Sequence, residues 1–354
     1  MTKKINQPQG AIPDHTLRQM ISDGQITGAE EKHVNPASMN LPLSEEVWRI
    51  ENFVLPQAGE KISDMIRNQF YGRPHDFSHP LERGVRYLIR LKPKLKTGLE
   101  VYGFCNPRST TGRTFLSVNV VCDGVPRYDT VPKGFTSDMW LLVRNDIFSC
   151  LVLEDDELVQ LRLFYSDARL SQESIIDLYK VSPLLMSFDG QPIDYSKLPV
   201  NDNDGSLVMT LSIPIGQAGW RTKFTDRPVK FSKKNRSLDF FEPAYSSDGT
   251  LSLDNRTGLI LPTKEVICVP NNMAAEGVRV DDRAGAWNSH RAGYIDSGFK
   301  GTITLEITGG HETIRDGTSA LKVKFERTST SVMSPYTKGY SGQIAALLGR
   351  NFVS

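Results

Sequence analysis

Residues 153–164 read LEDDELVQLRLF, and residues 314–325 read IRDGTSALKVKF. In each, a polar lead runs into a stretch where apolar and polar side chains alternate, ending on Phe164 and Phe325. A period of two belongs to a half-buried β-strand, because successive side chains of a strand point to opposite faces. The same alternation runs through VRYLIRLK (85–92) and GTITLEI (301–307), with Gly and Pro punctuating the chain at short intervals. Helix signals are few. Pro13-Asp14-His15-Thr16 before LRQMI, and Ser171-Gln172-Glu173-Ser174 before IIDLY, read as capped short helices. The pattern predicts a mainly β sandwich or barrel and argues against a βαβ fold.

The order of elements repeats. Each helix is followed, some tens of residues on, by a short apolar strand, PASMNLPL (36–43) and SLVMTLSI (206–213). Gly134-Phe135 in PKGFTSDMWLLV then corresponds to Gly298-Phe299 in DSGFKGTITLEI, and the strand ending in Phe164 to the one ending in Phe325. The two offsets, 164 and 161 residues, agree closely enough to predict two copies of one domain, 1–168 and 169–354. The stretches 55–80 and 214–250 are rich in Pro, Gly, Ser and Asp with weak periodicity, and read as loops or irregular elaborations.

Length and composition set outer bounds. At 354 residues, with 39% hydrophobic and 23% charged residues, the chain has material for two sizeable cores. A net charge of +1 gives no footprint for a nucleic-acid polymer or an anionic membrane, though a small phosphorylated ligand needs only a local group of arginines. No apolar run approaches the roughly 18–20 residues that span a bilayer, and the opening MTKKINQPQG lacks the apolar core of a signal peptide, so a cytoplasmic location is expected. Cys105, Cys122, Cys150 and Cys268 form no C-x-x-C pair, and read as reduced thiols with neither disulfides nor zinc.

Three strings carry candidate chemistry. The first is Asn106-Pro107-Arg108-Ser109-Thr110-Thr111-Gly112-Arg113. Two guanidinium forks flank three hydroxyls and a glycine that lets backbone approach a ligand, a composition suited to phosphate oxygens or to an ordinary surface turn. The second runs from Ala292 to Glu306, in which Asp296 precedes a tight turn and Glu306 lies ten residues later on the returning strand. A hairpin brings the two carboxylates into one neighbourhood, although alternation alone would put Glu306 on the solvent face. The third is the tail Ser334-Pro335-Tyr336-Thr337-Lys338-Gly339-Tyr340-Ser341-Gly342-Gln343, followed by Leu348-Gly349-Arg350, which reads as a segment able to close over a ligand or as a disordered end.

Taken together the strings resemble the dCTP deaminase/dUTPase superfamily, and dCTP deaminases most of all. PRSTTGR resembles their GRSSLAR signature; YIDSGFKGTITLE resembles R-I-D-P-G-W-x-G-x-I-x-L-E with the Asp-to-Glu spacing kept. IRDGTSALKVKFE resembles the strand that follows it, YTKGYSGQ the closing K-Y-x-x-Q segment, and NPASMNLPL the Q-P-A-S-x-D-L-R-L-G strand. The resemblance implies two tandem dUTPase-like distorted β-barrels (jelly-roll or β-clip) with a few short helices, and a homo-oligomer that is a trimer-like assembly of barrels. It implies that Glu306 is the general base, that Ser109 and Arg113 hold water and glutamate in register, and that Arg108 contacts phosphate. Thr110, Asp296, Phe299 and Tyr336 would line the nucleotide, and Lys338, Tyr340 and Gln343 would cover its triphosphate. Magnesium would arrive with those phosphates. The H-x-E and P-C-x-x-C ligands of zinc deaminases are missing from the sequence, so no zinc is expected.

The departures are as informative as the matches. Leu142 stands where the first copy would carry its glutamate, and GVRVDDRAG (277–285) keeps Arg279 and Arg283 but has lost the hydroxyls of the loop. Each half keeps what the other lacks, which predicts one composite site made from both, within or between chains. The expected reaction is deamination of dCTP to dUTP and ammonia. The alternatives are dUTP diphosphatase activity, alone or in addition, and a non-catalytic nucleotide-binding protein.

Overall fold

The strand Glu157–Phe164 lies between Met39–Ile50 and Tyr102–Pro107, pairing antiparallel with both. A computed structural model describes residues 9–198, 202–280, 292–337 and 339–353. From this centre a ladder extends in the order Leu116–Cys122, Met139–Asn145, Arg86–Leu91, Met39–Ile50, Glu157–Phe164, Tyr102–Pro107, Thr130–Val131. Its two ends are drawn together by Asp129. The Asp129 N–H donates to the Val120 carbonyl at 2.8 Å, and the Val120 N–H donates back to the Asp129 carboxylate at 2.7 Å. The sheet therefore curls into a nearly closed barrel. Burial raises the Asp129 pKa to about 6.

The second half repeats the ladder. Lys300–Thr308 pairs with Gly258–Cys268, which meets the 206–211 segment through the Leu211–Thr263 bridge. Ser206–Thr210 then pairs with Ser319–Arg327, and that strand with Met273–Val278 and Tyr294–Ile295 in turn. The strands ending in Phe164 and near Phe325 occupy equivalent central places. The strands after Gly134-Phe135 and Gly298-Phe299 do so as well; both glycines have positive φ and both phenylalanines are buried.

Period-two alternation is obeyed, but the polar face is not solvated. Val159, Leu161 and Leu163 enter the first core, while Gln160 and Arg162, on the other face, are also buried. The second half covers that face. Arg162 reaches across to Glu276 and Glu326, each at 2.7 Å. Ala11 bridges both Phe164 and Thr328, so the expected seam near residue 168 is an interlocked junction.

Two stretches read as irregular contain regular elements. Residues 55–80 include the helix Ile62–Asn68 and the strand Arg73–His75. Ile62, Met65 and Ile66 sit at i, i+3 and i+4, and with Phe70 they pack on Leu88, Val121 and Trp140, with Leu142 at the edge of the cluster. Seven residues are too few for a clear periodic signal, and the helix's first N–H is satisfied by Asp123, 61 residues away. Residues 214–250 include Gly216–Thr222 and Phe241–Ser246, an antiparallel pair. A Cβ on Gly219 would lie 2.1 Å from the Ile260 carbonyl oxygen, so glycine here permits a backbone crossing and erases the expected alternation. All four cysteines are free thiols. Among the described residues, no helix is long and apolar enough to cross a membrane.

Candidate active site

The arginine–hydroxyl loop leaves the Tyr102–Pro107 strand as a single helical turn, Ser109–Arg113, with Arg108 at its N-cap. Thr111 donates its hydroxyl to the Leu158 carbonyl at 2.7 Å, pinning the turn to the central strand. The chain exits through Phe115, a non-glycine residue at φ 57°. Its buried ring fills a place that Gly258 of the second half leaves open: a Cβ there would approach the ring to 2.3 Å. Half-to-half packing thereby fixes where the loop sits.

Opposite it, the second-half hairpin turns at Gly298, φ 84°, and returns as Lys300–Thr308. Ile303, Leu305 and Ile307 enter the second core. Thr302, Thr304 and Glu306 point the other way, and Glu306 is only 1% exposed. The solvent-face expectation from alternation fails because the first half covers this face. The carboxylate of Glu306 lies over Gly112, where a Cβ would come within 3.1 Å of its Oε2. The glycine of the loop therefore receives this carboxylate in close approach.

The tail folds across the opening. Asp14, expected as part of a helix cap, is instead the first helical residue, and no side chain caps that helix. Its carboxylate accepts the N–H groups of Met333 and Ser334, both at 2.9 Å, and so holds the start of the tail. Burial pushes its pKa up, but the backbone N–H groups of Met333, His15 and Ser334 outweigh this and leave it below the ordinary value. Tyr336 donates its N–H to the Ser297 carbonyl. Gln343 donates its amide N–H to the Thr302 carbonyl at 2.5 Å and accepts from Arg113 at 3.2 Å. Arg113 also donates to the Leu347 carbonyl at 2.9 Å and lies 3.8 Å from the centre of the Tyr340 ring. Burial lowers its pKa, against the opposing pull of Tyr340 and Glu306.

These groups enclose a cavity of about 170 Å³, far more than the roughly 10–15 Å³ one water needs. The first half contributes Arg108, Ser109, Thr110 and Arg113 to its lining; the second contributes Asp296, Phe299, Glu306, Tyr336, Tyr340 and Gln343. Lys338 and Arg283 lie outside the described residues. Arg108 is already engaged, donating to the Glu157 carbonyl at 3.0 Å and its carboxylate at 2.5 Å. Thr110 and Tyr340 share a hydroxyl–hydroxyl hydrogen bond at 3.2 Å, and the Phe299 and Tyr336 rings are 5.9 Å apart. Asn35, Asn40, Gln160 and Arg350 also line the cavity. Asn40 had a readable signal, an amide inside an otherwise apolar strand, and Arg350 stood as a cation beyond the tail string; Gln160 lay in an alternating strand with the parity of a solvent-facing residue.

Asp296 is the most perturbed carboxyl in the cavity. Its Oδ1 is shut off from solvent with no hydrogen-bond partner, and burial raises its pKa from 3.8 to about 7, against the Ala37 backbone and the charges of Arg108 and Arg162. Between these values the folded chain keeps a proton that the unfolded chain has lost. Stability therefore falls as pH rises through that window and levels off above it. Asp296→Asn is expected to be more stable than the parent at pH 8 by about 2–4 kcal/mol, a difference that fades toward pH 4. Urea unfolding across that range measures it; a difference independent of pH would show that Asp296 does not take up this proton.

Among the described residues no cluster of three or more His, Cys, Asp or Glu side chains could hold a metal ion. Among the described residues lining the cavity, only Asp296 and Glu306 are carboxylates, which does not fit a resident magnesium ion. Such an ion would belong to a ligand's phosphates.

Comparison with known proteins places this geometry. Residues 8–167 match the 2'-deoxycytidine 5'-triphosphate deaminase N-terminal domain, and residues 196–344 match the C-terminal domain of the same family. A dCTP deaminase of Korarchaeum cryptofilum (strain OPF8) is 31% identical over 117 residues, which is 32% of this chain and 64% of that relative's length. A crystal structure of 2'-deoxycytidine 5'-triphosphate deaminase from Agrobacterium tumefaciens superposes with a TM-score of 0.83 at 23% identity, over 92% of this chain and 97% of that one, a likeness of fold. With both domains of one family matched in order along its length, the chain belongs to the 2'-deoxycytidine 5'-triphosphate deaminase family, in its two-domain form.

Proposed function

We propose that this chain deaminates dCTP hydrolytically, giving dUTP and ammonia. The observation that carries the reading is the buried carboxylate of Glu306, seated on Gly112 in a cavity that also holds Ser109 and Arg113. Water is too weak a nucleophile for C4 of cytosine until a base takes its proton. In this reading Glu306 takes that proton as the water oxygen bonds to C4, then passes it to the amino nitrogen as the C–N bond breaks and ammonia leaves; the remaining hydroxyl proton moves to the ring nitrogen N3, leaving the C4 carbonyl of uracil. Ser109 and Arg113 hold the water and the carboxylate in register. Arg108, Thr110, Lys338, Tyr340 and Gln343 bind the phosphates, with magnesium carried by the substrate, while Phe299 and Tyr336 offer ring faces. No step passes through the metal.

A second activity, dUTP diphosphatase, is supported by Asp296, whose carboxyl group lines the same cavity, in a place from which it would orient water toward phosphorus. One assay separates the readings: incubation with dCTP or dUTP and magnesium, reading ammonia and pyrophosphate independently. Ammonia alone supports deamination, both products a bifunctional enzyme, pyrophosphate alone a diphosphatase, and neither a binding protein.

We also infer that the chain arose by duplication with a boundary near residue 168, on the shared strand order of its halves, and that it works in the cytoplasm as a homo-oligomer. Because both halves of one chain line the cavity, mixing Arg113→Ala chains with Glu306→Gln chains is expected to restore no activity beyond the sum of the two. Rescue on mixing would mean sites built across chains.

A further inference from the structure

Three described cations line the cavity, and two are already committed. Arg108 is clamped to Glu157, and Arg113 is buried against Gln343, Leu347 and Tyr340. The third, Arg350, is exposed, and among the described residues no carboxylate lies within ion-pair distance of it. It lies beyond residue 344, where the family match ends.

Its position is built. The Arg350 N–H donates to the Tyr340 hydroxyl at 3.0 Å, and its carbonyl accepts from Lys234 at 2.6 Å. The next residues run as a short parallel pair with Asn235–Arg236, and Phe352 packs edge-on against Phe240 and Phe241. The backbone is thereby bolted to the second half while the side chain points back to the tail turn. Its guanidinium reaches the Tyr336 hydroxyl at 3.4 Å and lies 4.9 Å from the Tyr340 ring centre. Gly339 makes room for it: a Cβ there would fall 1.3 Å from the Arg350 Nη2, at φ 78°.

We propose that Arg350 is a specificity residue that binds the outer phosphates of the substrate and so sets the preference for a triphosphate over a monophosphate. The inference rests on the proposed nucleotide substrate. A polyphosphate brings several negative charges to the mouth of the cavity, and a guanidinium without a carboxylate partner can give two donors to one phosphate group. Arg108, already neutralised by Glu157, offers less to that end of the ligand. A charge-assisted contact of this kind corresponds to about 10–100-fold in affinity.

The test is equilibrium binding of dCTP, dCMP and inorganic tripolyphosphate to the full chain and its Arg350→Ala and Arg350→Lys variants. Arg350→Ala is expected to weaken dCTP and tripolyphosphate by about 10–100-fold and leave dCMP nearly unchanged. Arg350→Lys should recover part of the difference, since charge remains while the fork is lost. A parallel loss for dCTP and dCMP would make Arg350 a brace for the tail and overturn the proposal, as would an unchanged ratio in a folded variant. Tripolyphosphate distinguishes the two failures: a chain that binds it through Arg350 but binds no deoxycytidine nucleotide refutes the proposed substrate and leaves the phosphate contact standing.

Discussion

Glu306→Gln is expected to lower the turnover of dCTP by about 10²–10⁴-fold while nucleotide affinity stays within a few-fold of the parent. The amide keeps the size of the side chain, so the close seat on Gly112 and the packing of the Lys300–Thr308 strand persist. It cannot take a proton from water. Single-turnover measurements beside equilibrium binding separate the two effects. Turnover near that of the parent would remove Glu306 from the mechanism, and a loss confined to affinity would make it a binding group.

Arg162→Ala is expected to cost about 3–5 kcal/mol of folding stability, the usual consequence of stripping the partner from a buried ion pair. Arg162 is wholly buried and spans the junction. It donates to Asn106 within its own half at 3.1 Å, and to Glu276 and Glu326 of the other half. Its guanidinium also lies 4.7 Å from the ring centre of Tyr294, two residues from Asp296. Without it the buried Glu326 carboxylate loses its ion-pair partner and keeps only the weaker pull of Arg169. Burial already raises the Glu326 pKa while Arg162 pulls it down, so the variant's deficit should be largest above the carboxylate range and shrink on acidification, as Glu326 takes up a proton. Urea unfolding at several pH values follows this. Adding Glu326→Gln to the variant should recover part of the loss, and a deficit below 1 kcal/mol would show that packing alone holds the halves together.

Much of the fold is legible because β-structure writes a short-range signal. The strands ending in Phe164 and near Phe325, the Gly-Phe turns and the Gln172–Val181 helix lie where alternation and capping place them. What alternation cannot say is what covers the polar face. Gln160, Arg162 and Glu306 all have the parity of solvent-facing residues and are buried, because each faces the other half of the chain. The helix Ile62–Asn68 escapes notice because it is short and stabilised by the distant Asp123. Asp14 misleads for the opposite reason: a residue type suited to capping serves a contact 319 residues away. The residues of the loop, hairpin and tail were nameable from their motifs. Arg350 was visible only as a cation at the end of the tail string, and its meaning comes from where the tail's end is anchored.

The helix Ile62–Asn68 has one more consequence. Leu142 follows Phe135 by seven residues, as Glu306 follows Phe299, and the strand face that carries Leu142 and Trp140 is filled by Ile62, Met65, Ile66 and Phe70. The place where a second catalytic pocket would form in the first half is solid apolar packing. Among the described residues, a chain so built has no internal pair of equivalent sites whose occupancies could influence each other. Cooperative kinetics, if observed, must be communicated from one chain to the next, and an obligate single-chain form should follow a simple hyperbola.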